Sequence, residues 1–227
     1  GTELPLKTNV ELIQVLQLLN DKNDVTARRN ENLYRHAMKK TKPPGNITIY
    51  KGEFHVTLSR KFVEYCYKSK LANDFYYWLN GTAVPDEHYY PTLNRLPQFP
   101  GHASIHYEGT RFMSRFKIWR LKGLKAQNQR SDLCRSDIFI RAICQFDWHD
   151  LPTLTKSNYL FANKFNQKLD MLGISCLEQW HQAKSMTSVK IDLNDFNKFP
   201  PIKKAIDESV SFELEKNRLV GFKKFKH

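Results

Sequence analysis

Asp137–Phe146, DIFIRAICQF, is the most strand-like stretch of the chain, because isoleucine and phenylalanine are enriched in β-strands. Downstream, Asn158–Phe165 (NYLFANKF) leads into Lys168–Lys184 (KLDMLGISCLEQWHQAK), whose apolar residues recur at helical spacing. Upstream, Phe116–Leu121 (FKIWRL) predicts another strand. Strands that alternate with helices in this way indicate an α/β layer structure.

The N-terminal part continues the same alternation. Thr8 and Glu11 form a Thr-x-x-Glu capping box, which predicts a helix start. Residues 47–59 (ITIYKGEFHVTLS) predict one or two strands with a bend at Gly52, and Ser59 can cap a following helix. The apolar face that we predict for the first helix is Val10, Ile13, Leu16 (or Val15) and Leu19.

Composition limits the kind of protein. The chain has 227 residues, is 41% hydrophobic and carries a net charge of +13, which suits one globular domain or a large part of one. The positive charge favours anionic partners, but no nucleic-acid-binding motif accompanies it, so we expect no nucleic-acid partner. No apolar run approaches the ~20 residues of a membrane span. We assign residues 1–187 to the main domain and residues 188–227 to a charged C-terminal extension.

The stretch Val84–Gly101, VPDEHYYPTLNRLPQFPG, contains the strongest candidate for acid–base chemistry. Glu87 follows a proline and precedes aromatic residues, a setting in which a carboxylate can serve as a general base. The competing interpretation is that Asp86 caps a helix beginning at Glu87. A metal site at Asp86, Glu87 and His88 is excluded, because consecutive side chains point in different directions.

Two cations could bind an anionic ligand. Arg141 is a charge inside an apolar strand, so it needs either a phosphate or a structural salt bridge. Lys164 lies between aromatic residues. Its ammonium either binds a phosphate or lies in solvent while the aliphatic part of the side chain packs on the aromatic rings. Cys134 and Cys144 bracket the Arg141 strand and form either a disulfide or two buried thiols.

Other motifs bear on compartment and enzyme class. Asn46 and Asn80 begin Asn-x-Thr sequons, which favour a secretory lumen and N-glycosylation. The chain lacks a phosphate loop, a GxSxG elbow, an HExxH motif and a dinucleotide fingerprint. It also has no Asp-x-Asp, the metal–diphosphate motif of many nucleotide-sugar enzymes.

Taken in order, six segments resemble the core 2/I-branching β-1,6-N-acetylglucosaminyltransferases, from about Leu4 to Lys184. They are PLKTNVELIQVLQLL, LSRKFVEYC, PDEHYYPTLNRLPQFPG, IRAICQF, LFANKF and LDMLGISCLEQW. The resemblance covers the C-terminal portion of that family. It implies a glycosyltransferase-A-like mixed sheet with flanking helices, of which this chain holds the C-terminal part.

The resemblance also implies a reaction and a site. The family transfers N-acetylglucosamine from its UDP sugar to the 6-hydroxyl of an acceptor glycan, inverting the anomeric centre without a metal ion or other cofactor. Glu87 matches its catalytic base, Arg141 and Lys164 match its diphosphate contacts, and Trp119 matches an aromatic residue of its acceptor pocket. Leu121 stands where relatives that use mucin-type acceptors have tyrosine, and Cys176 matches a cysteine whose partner lies in the N-terminal half.

The implied setting is the Golgi lumen, with a membrane anchor that this chain lacks. Because the chain begins with Gly1 and lacks the family's N-terminal half, we expect a processed product or a fragment. Two alternatives stay open. One is a truncated, inactive relative that binds glycans, and the other is a protein xylosyltransferase of the same superfamily.

Overall fold

The computed structural model describes residues 2–29, 33–36, 39–103, 113–120, 133–187 and 191–211. Within these residues the strands are β1 (Thr2–Pro5), β2 (Arg28–Arg29), β3 (Tyr50–Lys51), β4 (Arg115–Phe116), β5 (Phe139–Ile140), β6 (Ile143–Cys144) and β7 (Phe161–Phe165). The α-helices are α1 (Asn9–Leu18), α2 (Arg60–Lys68), α3 (Lys70–Trp78), α4 (Asp86–Leu93), α5 (Leu151–Thr155) and α6 (Met171–Ser185). Residues 200–211 are also helical. The mixed α/β class is as predicted.

The chain divides into two compact units. The first comprises residues 1–16 and 113–195, and the second comprises residues 17–112 and 196–227. None of the helices in the described ranges is long and apolar enough to cross a lipid bilayer.

The first unit is built on a mixed three-stranded sheet in the order β1-β7-β4. β1 is antiparallel to the central β7, with Leu4 opposite Ala162. β4 is parallel to β7, with Phe116 also opposite Ala162. Strand β7 therefore hydrogen-bonds on both sides, which explains why its segment is mostly apolar. The buried residues around the sheet are Leu4, Leu6, Phe116, Ile118, Cys134, Cys144, Phe146, Leu154, Ala162, Phe165, Ile174 and Leu177.

Helix α6 packs against this core, and two residues fix where it begins. The carboxylate of Asp170 accepts a hydrogen bond from the backbone N–H of Gly173 (3.0 Å) and another from that of Trp148 (2.7 Å). A Cβ on Gly173 would lie 2.3 Å from an oxygen of Asp170 and 2.7 Å from the nitrogen of Trp148. Only glycine fits this close approach without displacing backbone.

The capping box of α1 is present, and of the predicted apolar face Val15 and Leu19 are buried, but Val10, Ile13 and Leu16 are not. The N–H of Thr8 donates to Glu11 Oε2 (2.8 Å), and the N–H of Glu11 donates to Thr8 Oγ1 (3.3 Å). Val10 and Ile13 are exposed, at 65% and 58%, whereas Glu11 and Val15 are buried. The ion pair between Glu11 and Lys184 of α6 (2.8 Å) accounts for this rotation, because it places Glu11 on the inward side of the helix.

The second unit combines α2, α3 and α4 with the short antiparallel pair β2–β3. Ser59 caps α2 by accepting from the N–H of Phe62 (3.2 Å), as predicted, and Ser69 caps α3 by accepting from that of Ala72 (3.3 Å). The core of this unit consists of Ile49, Phe62, Ala72, Phe75, Leu79, Leu93 and Phe99.

The C-terminal segment packs within the second unit. Phe196, Phe199, Ile202 and Ala205 are buried. Lys204 Nζ donates to the carbonyl oxygen of His102 at 2.7 Å. The boundary that we placed between residues 187 and 188 stays a prediction, as does the glycosyltransferase-A-like character of the sheet.

Candidate active site

Glu87 lies in the first turn of α4, in the second unit, and its carboxylate is held by cations. Oε2 accepts a hydrogen bond from Arg35 Nη1 at 2.5 Å, and Lys51 Nζ is 3.9 Å from the same oxygen. The side chains of Glu87, Arg35 and Lys51 are 17%, 14% and 18% exposed. Among the described residues both contacts fall on Oε2, and Oε1 forms no hydrogen bond or ion pair.

The strand β3 is fastened to α4, and this sets the position of Lys51 beside Glu87. The N–H of Tyr50 donates to Thr92 Oγ1 (3.0 Å), and the N–H of Gly52 donates to the carbonyl oxygen of Glu87 (2.8 Å). His88 Nδ1 lies 3.1 Å from the carbonyl oxygen of Tyr50. Because a carbonyl oxygen only accepts, Nδ1 carries the hydrogen of this bond.

Gly52, which we predicted as a bend, allows the close approach. A Cβ at this position would lie 2.0 Å from the carbonyl oxygen of Thr26 and 2.7 Å from Cγ of Pro91. Any side chain would therefore separate β3 from α4 and move Lys51 away from the carboxylate.

A pair of imidazoles lies next to the ion pair of Arg35 and Glu87. The rings of His36 and His88 meet edge to face, with centroids 5.5 Å apart. His88 is fully buried, and its Nε2 has no hydrogen-bond partner in the described part of the protein. Burial lowers the pKa of both histidines, and the neighbouring His36 and Arg35 lower that of His88 further. Both rings are consequently neutral at ordinary pH.

Arg35 was not among the residues predicted from the sequence. Burial works against its charged form, but the hydrogen bonds and charges of Glu87 and Tyr34 together outweigh burial and raise the pKa of Arg35. Arg35 is thus a permanent counter-ion that orients one oxygen of the carboxylate. Only the general rule that a part-buried carboxylate needs a cation could have indicated it from the sequence.

Arg141 belongs to the first unit, and our prediction of its local structure was wrong. It does not lie inside a strand but at the tip of a two-residue hairpin between β5 and β6, where Ile140 pairs with Ile143. Arg141 and Ala142 have φ of 50° and 64°, the positive values that a type I′ turn requires at both central positions. Arg141 is exposed, and within the described ranges it has no ion-pair partner.

Lys164 lies in the middle of β7, in the first unit as well. The nearby carboxylate of Glu3 is already engaged, since it accepts from Arg115 Nε (2.7 Å) and from Asn163 Nδ2 (2.8 Å). Alternation along the strand directs Lys164 to the face opposite Asn163. In the part of the chain that the structure describes, the ammonium of Lys164 forms no hydrogen bond or ion pair.

A backbone contact links the segments that carry these two cations. Five residues after Arg141, the N–H of Phe146 donates to the carbonyl oxygen of Lys164 at 2.9 Å. An extended stretch of five residues spans at most about 17 Å, which limits the distance between the backbones that carry the two cations. Trp119 is also close to the hairpin: it pairs with Ile143, and Lys117 Nζ lies 5.5 Å from its ring centroid.

A disulfide and a buried carboxylate brace the hairpin. Cys134 and Cys144 are bonded, with Cα atoms 5.9 Å apart and a sequence separation of ten. A loop of this length is stabilised by about 3 kcal/mol in the chain-entropy model. Ser136 Oγ donates to the carbonyl oxygen of Gln145 (2.7 Å), and Asp150 Oδ1 accepts from the N–H of Arg135 (2.7 Å).

The remaining predicted residues are placed as follows. Asn46 and Asn80 are exposed and accessible to modification. Cys176 is an exposed free thiol. Leu121 lies outside the described residues. No group of three or more His, Cys, Asp or Glu side chains within the described ranges could hold a metal ion. Glu87 belongs to a different unit from Arg141 and Lys164.

Comparison with known proteins agrees with the resemblance. Residues 2–143 match the model of the Core-2/I-Branching enzyme family. The chain is 30% identical to β-1,3-galactosyl-O-glycosyl-glycoprotein β-1,6-N-acetylglucosaminyltransferase 3 of Rattus norvegicus, over 84% of this chain and 48% of the relative. The chain is also 30% identical to the protein of that name from Homo sapiens, over 84% of this chain and 48% of the relative. A third relative is the probable β-1,3-galactosyl-O-glycosyl-glycoprotein β-1,6-N-acetylglucosaminyltransferase 7 of Homo sapiens. The identity to it is 30%, over 85% of this chain and 48% of the relative.

The chain therefore spans about half the length of the curated relatives that it matches. The family match extends over Glu87, Trp119 and Arg141. On this evidence the chain belongs to the core-2/I-branching enzyme family.

Proposed function

We propose that the protein is an inverting, metal-independent glycosyltransferase that moves N-acetylglucosamine from UDP-N-acetylglucosamine to the 6-hydroxyl of an acceptor glycan. The proposal includes a glycosyltransferase-A-like fold and a place in the Golgi lumen, reached through a membrane anchor. The relatives' names specify β-1,6-N-acetylglucosaminyl transfer to a β-1,3-galactosyl-O-glycosyl-glycoprotein. The observation that carries the proposal is Glu87, a part-buried carboxylate with one oxygen bound by Arg35 and the other open.

Glu87 acts on the acceptor. Its open oxygen accepts the proton of the 6-hydroxyl while the hydroxyl oxygen forms a bond to the anomeric carbon of the donor. The bond from that carbon to the β-phosphate oxygen breaks, and UDP leaves from the opposite face, which inverts the configuration. Arg35 keeps the carboxylate in one orientation throughout.

Arg141 and Lys164 act on the leaving group. UDP departs with an additional negative charge on its β-phosphate, and where no metal ion neutralises that charge, fixed cations have to. Neither side chain has an ion-pair partner in the described part of the chain, so both charges are open to a diphosphate. Trp119 offers an aromatic face beside the hairpin on which the apolar side of a sugar can pack.

The deciding experiment is transfer of radiolabelled N-acetylglucosamine to a β-1,3-galactosyl disaccharide by wild-type protein, Glu87→Gln and Asp86→Asn. We expect Glu87→Gln to lower kcat by at least a hundredfold, about 3 kcal/mol, with little change in UDP affinity. Asp86→Asn is the matched control, because Asp86 is an exposed acid in the same helical turn and should retain activity.

Three outcomes would count against parts of the proposal. Equal activity of Glu87→Gln and wild type would remove Glu87 as the base. Binding of UDP-N-acetylglucosamine without any turnover would favour an inactive glycan-binding relative. Transfer from UDP-xylose to a serine peptide in place of N-acetylglucosamine transfer would identify a protein xylosyltransferase.

A further inference from the structure

Lys51 carries a charge that the proposed base does not need. Arg35 already donates to Glu87 Oε2 at 2.5 Å, whereas Lys51 Nζ lies at 3.9 Å, the outer limit of an ion pair. Lys51 is only 18% exposed, and within the described ranges its ammonium makes no hydrogen bond. One carboxylate therefore faces two part-buried cations, and a positive charge is left over.

The strand pairing adds to this positive charge. The register of β2 and β3 places Arg28 directly opposite Lys51, and Arg29 follows as an exposed residue. Like charges in directly opposed positions destabilise a sheet, so the pair of Arg28 and Lys51 is not explained by strand stability. Arg28 has further contacts of its own. Lys51 is the member of the pair that lies beside Glu87.

We infer that Lys51 binds an anionic group on the acceptor glycan, a carboxylate or a sulfate ester close to the hydroxyl that receives N-acetylglucosamine. This inference rests on the proposed function, because it takes Glu87 as the position of that hydroxyl. Lys51 Nζ and Glu87 Oε2 are 3.9 Å apart. One hydrogen bond from Lys51 to the anionic group and one from the acceptor hydroxyl to Glu87 add about 3 Å each. The anionic group therefore lies within about 10 Å of the reacting oxygen. That span corresponds to the same sugar ring or the next one along the glycan.

The competing role for Lys51 is an electrostatic effect on Glu87 itself. Such an effect would change turnover of every acceptor by the same factor, whereas a contact with the acceptor would discriminate between charged and neutral glycans. The ratio of kcat/KM for a charged acceptor to kcat/KM for a neutral one therefore distinguishes a contact with the acceptor from an effect on Glu87.

The test compares three acceptors: a neutral β-1,3-galactosyl disaccharide, the same disaccharide with galacturonic acid in place of galactose, and the disaccharide sulfated on galactose. Binding is measured by titration calorimetry and transfer by kcat/KM. We expect wild-type protein to bind at least one acidic acceptor about tenfold or more tightly than the neutral one. This preference should weaken as salt concentration rises. Comparing the galacturonic acid acceptor with the sulfated acceptor identifies which of the two anions Lys51 binds.

The variants are Lys51→Met, Lys51→Arg and Lys70→Met. Lys51→Met should abolish the charge preference, and Lys51→Arg should retain it because the charge persists. Lys70→Met is the matched control, since it makes the same charge change on α3 at a lysine that is 87% exposed and paired with Asp74. It should bind all three acceptors as wild type does.

Equal affinity of wild-type protein for neutral and acidic acceptors would overturn the inference, and this comparison does not depend on any variant folding. Equal losses for all acceptors in Lys51→Met would overturn it too, in favour of an effect on Glu87. A charge preference in binding without any sugar transfer would contradict the proposed function alone. Transfer without a charge preference would contradict this inference alone.

Discussion

At the scale of single residues, Asp86 and Glu87 are adjacent acids in one helical turn, yet their surroundings give them different chemistry. Asp86 is exposed, and its Oδ1 accepts from the neighbouring N–H of Glu87 at 3.1 Å. Glu87 is part-buried and bound to Arg35. A solvated carboxylate that bonds its own helix start stabilises the helix, whereas an oriented carboxylate with an open oxygen can take a proton. The predicted cap is therefore wrong, because the helix begins at Asp86 itself with Pro85 in the cap position, whereas the role of Glu87 as a base stays a prediction.

His88 makes the second unit sensitive to acid. Burial lowers the pKa of His88 in the folded protein, while in the unfolded chain the pKa returns to about 6.5. The unfolded state therefore binds more protons as the pH falls through 6.5. We expect the protonation of His88 in the unfolded state to decrease the free energy of unfolding as the pH falls below about 6.5.

The measurement is chemical denaturation between pH 5 and pH 8 for wild type, His88→Asn and His149→Asn. His88→Asn places an amide donor where Nδ1 stood and removes the titrating ring, so its stability should depend less on pH. His36 shifts in the same direction, so part of the slope should remain. His149→Asn alters an exposed histidine and should keep the wild-type slope. Identical slopes for wild type and His88→Asn would contradict this assignment.

The sequence indicates the proposed base better than the residues around it. Glu87 stands in the Pro-Asp-Glu segment that matches the family. Arg35 and Lys51 lie far from it in sequence, and their role depends on how residues 33–36 and β3 pack onto α4. That packing depends on Gly52 and on backbone hydrogen bonds. A local pattern of residue types therefore does not predict that Arg35 and Lys51 lie beside Glu87.

At the scale of elements, the hairpin of β5 and β6 presents Arg141 through a turn that its residues adopt at a cost. Positive φ is unfavourable for residues with a Cβ, by roughly 1–2 kcal/mol. Arg141 and Ala142 both adopt it, and the disulfide and Asp150 hold the flanking chain. The turn lacks the Asn-Gly or Gly-Gly signal of a hairpin, which is why the segment reads as one continuous strand.

Replacing Ala142 with glycine should stabilise the protein. Glycine removes the steric cost at φ 64°, partly offset by greater freedom in the unfolded chain, for a net gain of up to about 1 kcal/mol. The control is Ala183→Gly on the exposed side of α6, where the same change should cost about 0.5–1 kcal/mol. Chemical denaturation with the disulfide intact measures both, and a destabilised Ala142→Gly would show that the turn is not strained.

Helix α1 shows where a pattern of apolar residues misleads. Its start follows from the capping box, which is a local interaction and can be read from the sequence. Its orientation depends on Lys184, more than 170 positions later, whose ion pair draws Glu11 inward. Lys7 is buried there as well, and burial together with the neighbouring charge of Lys184 lowers its pKa to about 8. Long-range ion pairs of this kind override the spacing of apolar residues.

At the scale of the whole molecule, the excess of positive charge has a specific use if the proposed function is correct. The net charge of +13 suits two anionic substrates: a UDP sugar, which Arg141 and Lys164 would bind, and an acidic acceptor, which Lys51 would bind. The charges lie in two units that each have a core of their own. The proposed mechanism requires Glu87 to act on the acceptor in the same reaction in which the two cations act on the donor, and a ligand that combines both substrates tests this directly.

A bisubstrate analogue provides that test. In this compound the 6-oxygen of the acceptor sugar is joined through a short linker to UDP, so that one molecule spans both parts of the proposed site. If Glu87 and the two cations act in one reaction, the analogue should bind at least about a hundredfold more tightly than UDP, since its second contact is intramolecular. Glu87→Gln should weaken the analogue but not UDP, and Arg141→Met should weaken both. Arg135→Met, at another exposed arginine of the first unit, should weaken neither. Titration calorimetry gives the eight affinities of the two ligands for the four proteins, and an analogue that binds no more tightly than UDP would contradict the proposed roles of the base and the cations in one reaction.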